Sequence, residues 1–288
     1  RGTLTVDTDF LDSLNEWRKY LATSIAKNNH QITQEEVQYV VQQTIDRIIF
    51  LIFCEYKNIE PYENLKHATD KENSCKNLFE LFHQADDKYN SGLFDFQKDK
   101  ISEKLDIDNK VIKNIVAKLY PPNSEYDFSI LPVEVLGHAY EQFLRKVIRI
   151  TPGHVVKIED KPEVKKAGGV FYTPQYIVDY IVDCTVGKLI RGKTPEQIRK
   201  IKIVDPACGS GSFLLGAYQF LLNYHSDYYK KKDYLENKNN PLTPEGRLTT
   251  EEKKEILLNN IFGVDIDTQA VEVTKLSLLL KAMEGEKQ

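Results

Sequence analysis

The residues best suited to chemistry lie in Ile201-Lys-Ile-Val-Asp-Pro-Ala-Cys-Gly-Ser-Gly-Ser-Phe213. Their order predicts a short apolar strand ending in an acid, a tight glycine turn and the start of a helix. Gly209 and Gly211 can take positive φ and let a ligand approach the backbone closely. The unpaired N–H groups at the helix start attract an acidic or polar ligand group. A second such strand is predicted over Ile261-Phe-Gly-Val-Asp-Ile-Asp267, again with acids at its carboxyl end. Ligands of open α/β sheets bind at that edge, where a carboxylate after the second strand suits a ribose diol. Two glycine-linked strands and that acid point to a nucleoside cofactor.

Spacing separates the candidate nucleosides. A dinucleotide fingerprint needs Gly-x-Gly-x-x-Gly and then an acid roughly 20 residues on. Here Leu214 occupies the third glycine position and Asp265 lies far downstream. A phosphate-binding loop needs Gly-Lys-Ser/Thr after four spacers, and the sequence has none. Asp205 ends the first strand instead. Its carboxylate would repel a pyrophosphate but suits a cationic amino acid group, which favours S-adenosylmethionine with its ammonium and sulfonium.

Asp205-Pro-Ala-Cys-Gly-Ser-Gly-Ser-Phe213 resembles the cofactor motif of the DNA adenine-N6 methyltransferases. Gly168-Gly-Val-Phe-Tyr-Thr-Pro-Gln175 resembles the motif these enzymes place before the first strand. Phe262-Gly-Val-Asp-Ile-Asp267, continuing into Ala270-Val-Glu-Val-Thr-Lys-Leu276, resembles their second-strand motif. Leu136-Gly-His-Ala-Tyr-Glu-Gln-Phe-Leu144 and Asp46-Arg-Ile-Ile-Phe-Leu-Ile-Phe-Cys-Glu55 are similar to the helical region of type IIG (Eco57I-like) restriction–modification enzymes. The resemblance implies S-adenosylmethionine as cofactor. It places Tyr172 and Thr173 at the site, with Thr173 on the methionine carboxylate. Asp205 and the Ala207, Gly209 and Gly211 backbone would cradle the methionine end, and Asp265 would hold the ribose hydroxyls. Read singly, Thr173-Pro174 is also an ordinary helix start, Asp205 could cap the next helix, and Asp265 could be a turn acid. Asp267, just before Thr268, reads as a helix cap.

The family's catalytic motif is Asn-Pro-Pro-aromatic, which binds the target amino group and stacks on a flipped base. The sequence contains no such motif; Asn239-Asn-Pro-Leu242 has one proline and no aromatic. No catalytic residue is therefore assigned. The chain opens at Arg1 without methionine and closes at Gln288, after the helix that follows the second strand. It is expected to be part of a longer enzyme, inactive alone. The resemblance also implies an upstream nuclease and a downstream target-recognition module on the same polypeptide, with double-stranded DNA as partner. Glu55-Tyr-Lys57 and Glu163-Val-Lys165 match a short nuclease string, but such tripeptides are common by chance.

The elements that must position these residues fall into two parts. Residues 1–147 are expected to be a helical domain, 148–166 a hairpin and linker, and 167–288 the cofactor-binding part of a methyltransferase domain. The expected fold class is α plus α/β, with the helical domain preceding the first part of a Rossmann-like domain. Phe10, Leu14, Trp17, Leu21 and Ile25 form one apolar stripe, and Val37, Val40, Val41, Ile45, Ile48, Ile49 and Ile52 another. Thr33 with Glu36 reads as a capping box. Further helices are expected near 75–89, 108–119, 133–145 and 174–190, the last with Ile177, Val178, Ile181 and Val182 on one face. In the helix near 133–145, Tyr140 and Phe143 read as core residues. Val147–Thr151 and His154–Ile158, joined by Pro152-Gly153, read as a hairpin. A polar insert over 226–248 accounts for the late Asp265.

The chain has 41% hydrophobic and 28% charged residues and a net charge of −4. That balance fits a soluble protein and excludes a wholly basic nucleic-acid-binding surface. Lys230-Lys-Lys232, after Tyr224, Tyr228 and Tyr229, is the best basic patch and reads as a solvated edge. The four cysteines show no Cys-x-x-Cys and the six histidines no ligand spacing. Metal and disulfides are not called for; Cys54 and Cys184 read as small buried residues and Cys208 as a small turn residue. A reduced cytoplasm fits. No apolar run is expected to reach the roughly 18 residues of a membrane span. Two other classes stay in view: a non-catalytic cofactor-binding or scaffold module of a defence complex, and a nicotinamide oxidoreductase.

Overall fold

In the computed structural model, residues 6–89, 92–124, 126–128, 145–151, 153, 155–161, 173–231 and 241–284 are described. The chain divides into two compact units, 1–170 with 287–288, and 171–286. Helices dominate, beside two small two-stranded sheets and an isolated bridge between Leu242 and Leu248.

The first unit contains α1 (Val6–Asn28), α2 (Gln34–Tyr56), α3 (Asn64–Asp70), α4 (Ser74–Tyr89) and α5 (Asn109–Ala117). Both apolar stripes are buried, with none of their residues more than 1% exposed. Thr33 and Glu36 close the expected capping box at the start of α2. By length and composition α2 could cross a membrane, which corrects the expectation that no run is long enough. The length is reached because Asp46 and Arg47 interrupt it only briefly. Within this unit, 89% of that stretch is buried, as in a core helix.

Two buried polar groups fix the neighbours of α2. Arg47 pairs with Asp99 at 2.8 Å, both side chains 1% exposed. Its Nε donates to the Leu93 carbonyl, and the guanidinium lies over Phe96. Glu55 accepts from the Leu65 N–H and the Tyr120 hydroxyl. The expected hairpin forms as β1 (Lys146–Ile150) and β2 (Val156–Asp160), antiparallel with Ile148 opposite Ile158. Its second strand starts two residues later than expected, and beyond the paired strands the Thr151 N–H donates to Val155 O. The Ile148 and Ile150 N–H groups donate to Gln38 and Gln34 of α2, which seats the hairpin in the first unit. The short α3 was not foreseen, and the expected helix near 133–145, with Tyr140 and Phe143, lies outside the described residues.

The second unit begins with α6 (Gln175–Val182), which continues through a π-helical turn (Asp183–Gly187) into a last turn (Lys188–Ile190). After α7 (Pro195–Ile198) come β3 (Ile203–Asp205), α8 (Ser212–Tyr229), α9 (Thr250–Asn260), β4 (Ile261–Gly263) and α10 (Thr268–Met283). The strands β3 and β4 are parallel neighbours, with Val204 opposite Phe262 and Asp205 opposite Gly263. Packing around α8 forms the core, from Val178, Val182, Ile190, Leu214, Tyr218, Leu221, Ile256 and Ile261. The buried stripe of α6 is Val178, Val182, Val186 and Ile190; Ile181 is 38% exposed, beside exposed Tyr176 and Tyr180. A four-residue step keeps one valine per turn inward, which turns Ile181 outward. The α8 helix reaches Tyr229, so the polar insert starts later than 226. Lys230 and Lys231 follow it, and Lys231 lies over the Tyr228 ring; Lys232 lies outside the described residues.

A second buried network ties α7, α8 and α9 together. Glu252 accepts from the Tyr229 hydroxyl, bonds to fully buried His225 at 3.1 Å and takes Arg199 at 3.1 Å. Burial pushes the Glu252 carboxyl up, but His225, Tyr229 and Arg199 outweigh it, and the net direction is down.

Two predictions follow from these networks. Arg47→Met leaves Asp99 buried without a counter-charge and should cost about 3–5 kcal/mol; an unchanged urea midpoint would contradict the pairing. Because the folded Glu252 carboxyl sits below its ordinary value, its contribution is present above that range and is lost on acidification. Glu252→Gln should therefore flatten the acid limb of thermal stability relative to wild type, and parallel limbs would refute this.

Candidate functional site

The candidate site is built on the parallel pairing of β3 and β4, which places both strand ends side by side. The ladder runs on past the strands: Val264 N–H donates to Asp205 O, and Cys208 N–H to Val264 O. Asp205 turns its carboxylate back onto the Ala207 N–H at 3.0 Å. This bond tightens the turn and rules out the reading of Asp205 as the cap of α8. The N-cap of α8 is Gly211, at φ 86°, and it offers no side-chain cap. Among the described residues, the first N–H groups of this 18-residue helix thus have no side-chain acceptor.

Asp265 closes the site from the other strand. One carboxylate oxygen accepts the Gly209 N–H at 2.8 Å, and the other accepts the Asp267 N–H at 2.8 Å. Each oxygen keeps a further lone pair. Asp267 is the N-cap of α10, accepting from the Gln269 N–H, as its position predicted. Gly209, at φ 53°, has nothing among the described residues within 4 Å of where a Cβ would stand. A Cβ at Gly211 would sit 2.7 Å from Thr274 Cγ2. Only the first glycine therefore opens toward a ligand. Gly263 serves packing, since a Cβ there would meet Leu214 at 2.7 Å.

Thr173 is half-buried and stands just before Pro174, which is the N-cap of α6 and makes no side-chain cap bond. The reading of Thr173 as that cap is thereby corrected; proline at the cap already fixes the helix entry. Helices α6 and α8 advance together: Gly216 meets Val178, Gly187 meets Phe220, and Tyr224 donates to Lys193 O. Their starts lie at the same end, so Thr173 is at the end of the pair that carries Gly211. Tyr172 and the preceding Gly168-Gly169 lie outside the described residues. Thr274 was missed by the sequence reading although it lies in a quoted motif. It donates to the Gly209 carbonyl at 2.9 Å.

Two carboxylates flank the turn, so the local field favours a cation, while the open start of α8 favours an anionic group nearby. A zwitterionic amino acid end meets both demands. Cys208 is buried, and burial pushes its thiol up, with Asp265 and Asp205 adding to the shift. A protonated, enclosed thiol fits a small turn residue. All four cysteines are free, and Cys184 is only partly buried because it lies on the outer part of the π turn.

The two nuclease-like strings gain no support. Glu55 is committed to Leu65 and Tyr120, and Glu163-Val-Lys165 lies outside the described residues. Asn239 and Asn240 also lie outside them. Among the described residues, no group of three or more His, Cys, Asp or Glu is placed to hold a metal ion.

Residues 189–288 match the family described as "MmeI, DNA-methyltransferase domain". The chain is 37% identical over 284 residues to the type II restriction enzyme and methyltransferase RM.Eco57I of Escherichia coli, covering 98% of this chain and 28% of that protein. It is 27% identical over 319 residues to a putative type II restriction enzyme and methyltransferase of Methanocaldococcus jannaschii, covering 84% of this chain and 24% of the relative. The adenine-specific methyltransferase BrxX of Escherichia coli O9:H4 is 28% identical over 187 residues, covering 54% of this chain and 14% of the relative. The chain is thus a relative of the DNA methyltransferases of restriction–modification systems, as its motifs implied. It corresponds to a region of the type II restriction enzyme–methyltransferase fusions and spans about a quarter of their length.

The glycines separate stability from ligand access. Gly211→Ala combines left-handed backbone strain with the clash on Thr274 and should lower the unfolding midpoint sharply. Gly209→Ala should cost only about 1–2 kcal/mol for the left-handed backbone, yet obstruct the open side of the turn. Equal destabilisation by both variants in denaturant melts would contradict this assignment.

Proposed function

We propose that this chain carries the S-adenosylmethionine-binding part of a site-specific DNA adenine-N6 methyltransferase of a restriction–modification or phage-defence system. The observation that carries the reading is the Asp205–Gly211 turn locked to Asp265 across parallel strands. Under this reading the second unit is the first part of a Rossmann-like domain.

The residues fit the cofactor. Asp205 receives the methionine ammonium, and the open α8 start with Thr173 receives its carboxylate. Asp265 adds the ribose hydroxyls to its free lone pairs while still holding the turn. Bound S-adenosylmethionine supplies an electrophilic sulfonium methyl, and this chain's residues bind and orient that end of it. The adenine amino nitrogen is the acceptor, with no covalent enzyme intermediate. The Asn-Pro-Pro-aromatic set that presents it is not in this sequence, so the chain alone transfers no methyl group. In the whole protein, double-stranded DNA is the substrate and the setting is cytoplasmic. A nuclease upstream and a target-recognition module downstream complete the polypeptide.

Calorimetric titration should show binding of S-adenosylmethionine in preference to NADH and ATP. Asp265→Ala should weaken it by about 1.5–3 kcal/mol, the usual loss for hydrogen bonds to a charged group. Preferential NADH binding, or unchanged affinity of the folded Asp265→Ala variant, would defeat the assignment.

A further inference from the structure

Gly209 is held from both ends by the segment that follows β4. Its N–H donates to Asp265 at 2.8 Å, and its carbonyl accepts from the Thr274 hydroxyl at 2.9 Å. Thr274 belongs to α10 and is 5% exposed. Its side chain also lies against Gly211, where an added Cβ would come within 2.7 Å of Cγ2 and 2.9 Å of Oγ1. One side chain therefore fills the space between the two glycines of the turn.

The consequence comes from peptide geometry. The Gly209–Ser210 bond is trans, and in a trans peptide the C=O and the following N–H point in opposite directions. With the Gly209 carbonyl drawn onto Thr274, the Ser210 N–H faces away from Thr274. Among the described residues nothing accepts from that N–H. It lies one residue from the open side of Gly209 and two residues before the uncapped start of α8.

We propose that Thr274 is a positioning residue for cofactor binding: its hydroxyl sets the plane of the Gly209–Ser210 peptide and aims the Ser210 N–H at the polar end of the ligand. Thr274 itself touches no ligand. This role rests on the S-adenosylmethionine reading given above.

The test compares two variants that divide the threonine side chain. Thr274→Val keeps the methyl and replaces the hydroxyl with a second methyl; Thr274→Ser keeps the hydroxyl and loses the methyl. In the 288-residue chain, T274V should bind S-adenosylmethionine about tenfold more weakly, the scale of one misdirected hydrogen bond. T274S should stay within about twofold of wild type. The Ser210 amide resonance should shift on ligand addition in wild type and T274S and lose that shift in T274V. Circular dichroism verifies folding of each protein. If T274V does not fold, T274S decides: wild-type affinity with the Ser210 shift supports the role, and a tenfold loss overturns it. A folded T274V with wild-type affinity also overturns it and leaves the cofactor reading standing. A wild-type chain that binds no S-adenosylmethionine overturns both.

Discussion

The bond from the Gly209 N–H to the Asp265 carboxylate is the constraint on which the second unit's site depends. It joins residues 56 positions apart and can form only if β3 and β4 pair in their parallel register. A slip of one residue would carry Asp265 away from the turn and reverse every side chain of the strand. The same bond holds the turn in an organised state. A ligand arriving there finds backbone already ordered, so less conformational entropy is lost on binding.

Polar groups buried elsewhere do comparable work for packing. Arg47 with Asp99, Glu55 with Leu65 and Tyr120, and Glu252 with His225 and Tyr229 each join elements distant in sequence. Apolar contacts tolerate small shifts along a helix. A buried charge does not, because a displaced partner leaves it unsolvated. These networks therefore select among arrangements that hydrophobic burial alone would leave close in energy.

Legibility in the sequence followed the range of the interactions. Periodic stripes gave α1 and α2 because a helix face is a local property, and the capping box at Thr33 is equally local. The glycine turn and Asp265 could be read because backbone conformation at Gly209 and Gly211 and acid placement after a strand have distinctive residue types. Thr274 could not be read, since a threonine inside a helix has no sign of the carbonyl it will meet 65 residues away. Gly216 and Gly263 were opaque for a similar reason: they are small because Val178 and Leu214 press on them across the core. Ile181 misled because a helix packed on one neighbour turns only a narrow stripe inward. The short α3 was too brief to show a period.

One face of the small β3–β4 sheet has a consequence for handling the molecule. Val204 is 61% exposed, Phe262 40%, Val264 58%, and Ile266 is fully exposed. Among the described residues, Lys202 alone lies over the Phe262 ring. A strip of this kind, beside short strands with open edges, adheres to like surfaces. The chain in isolation should therefore behave as a sticky colloid. Its scattering should rise with protein concentration, and modest salt will strengthen the attraction by screening the net charge that keeps copies apart.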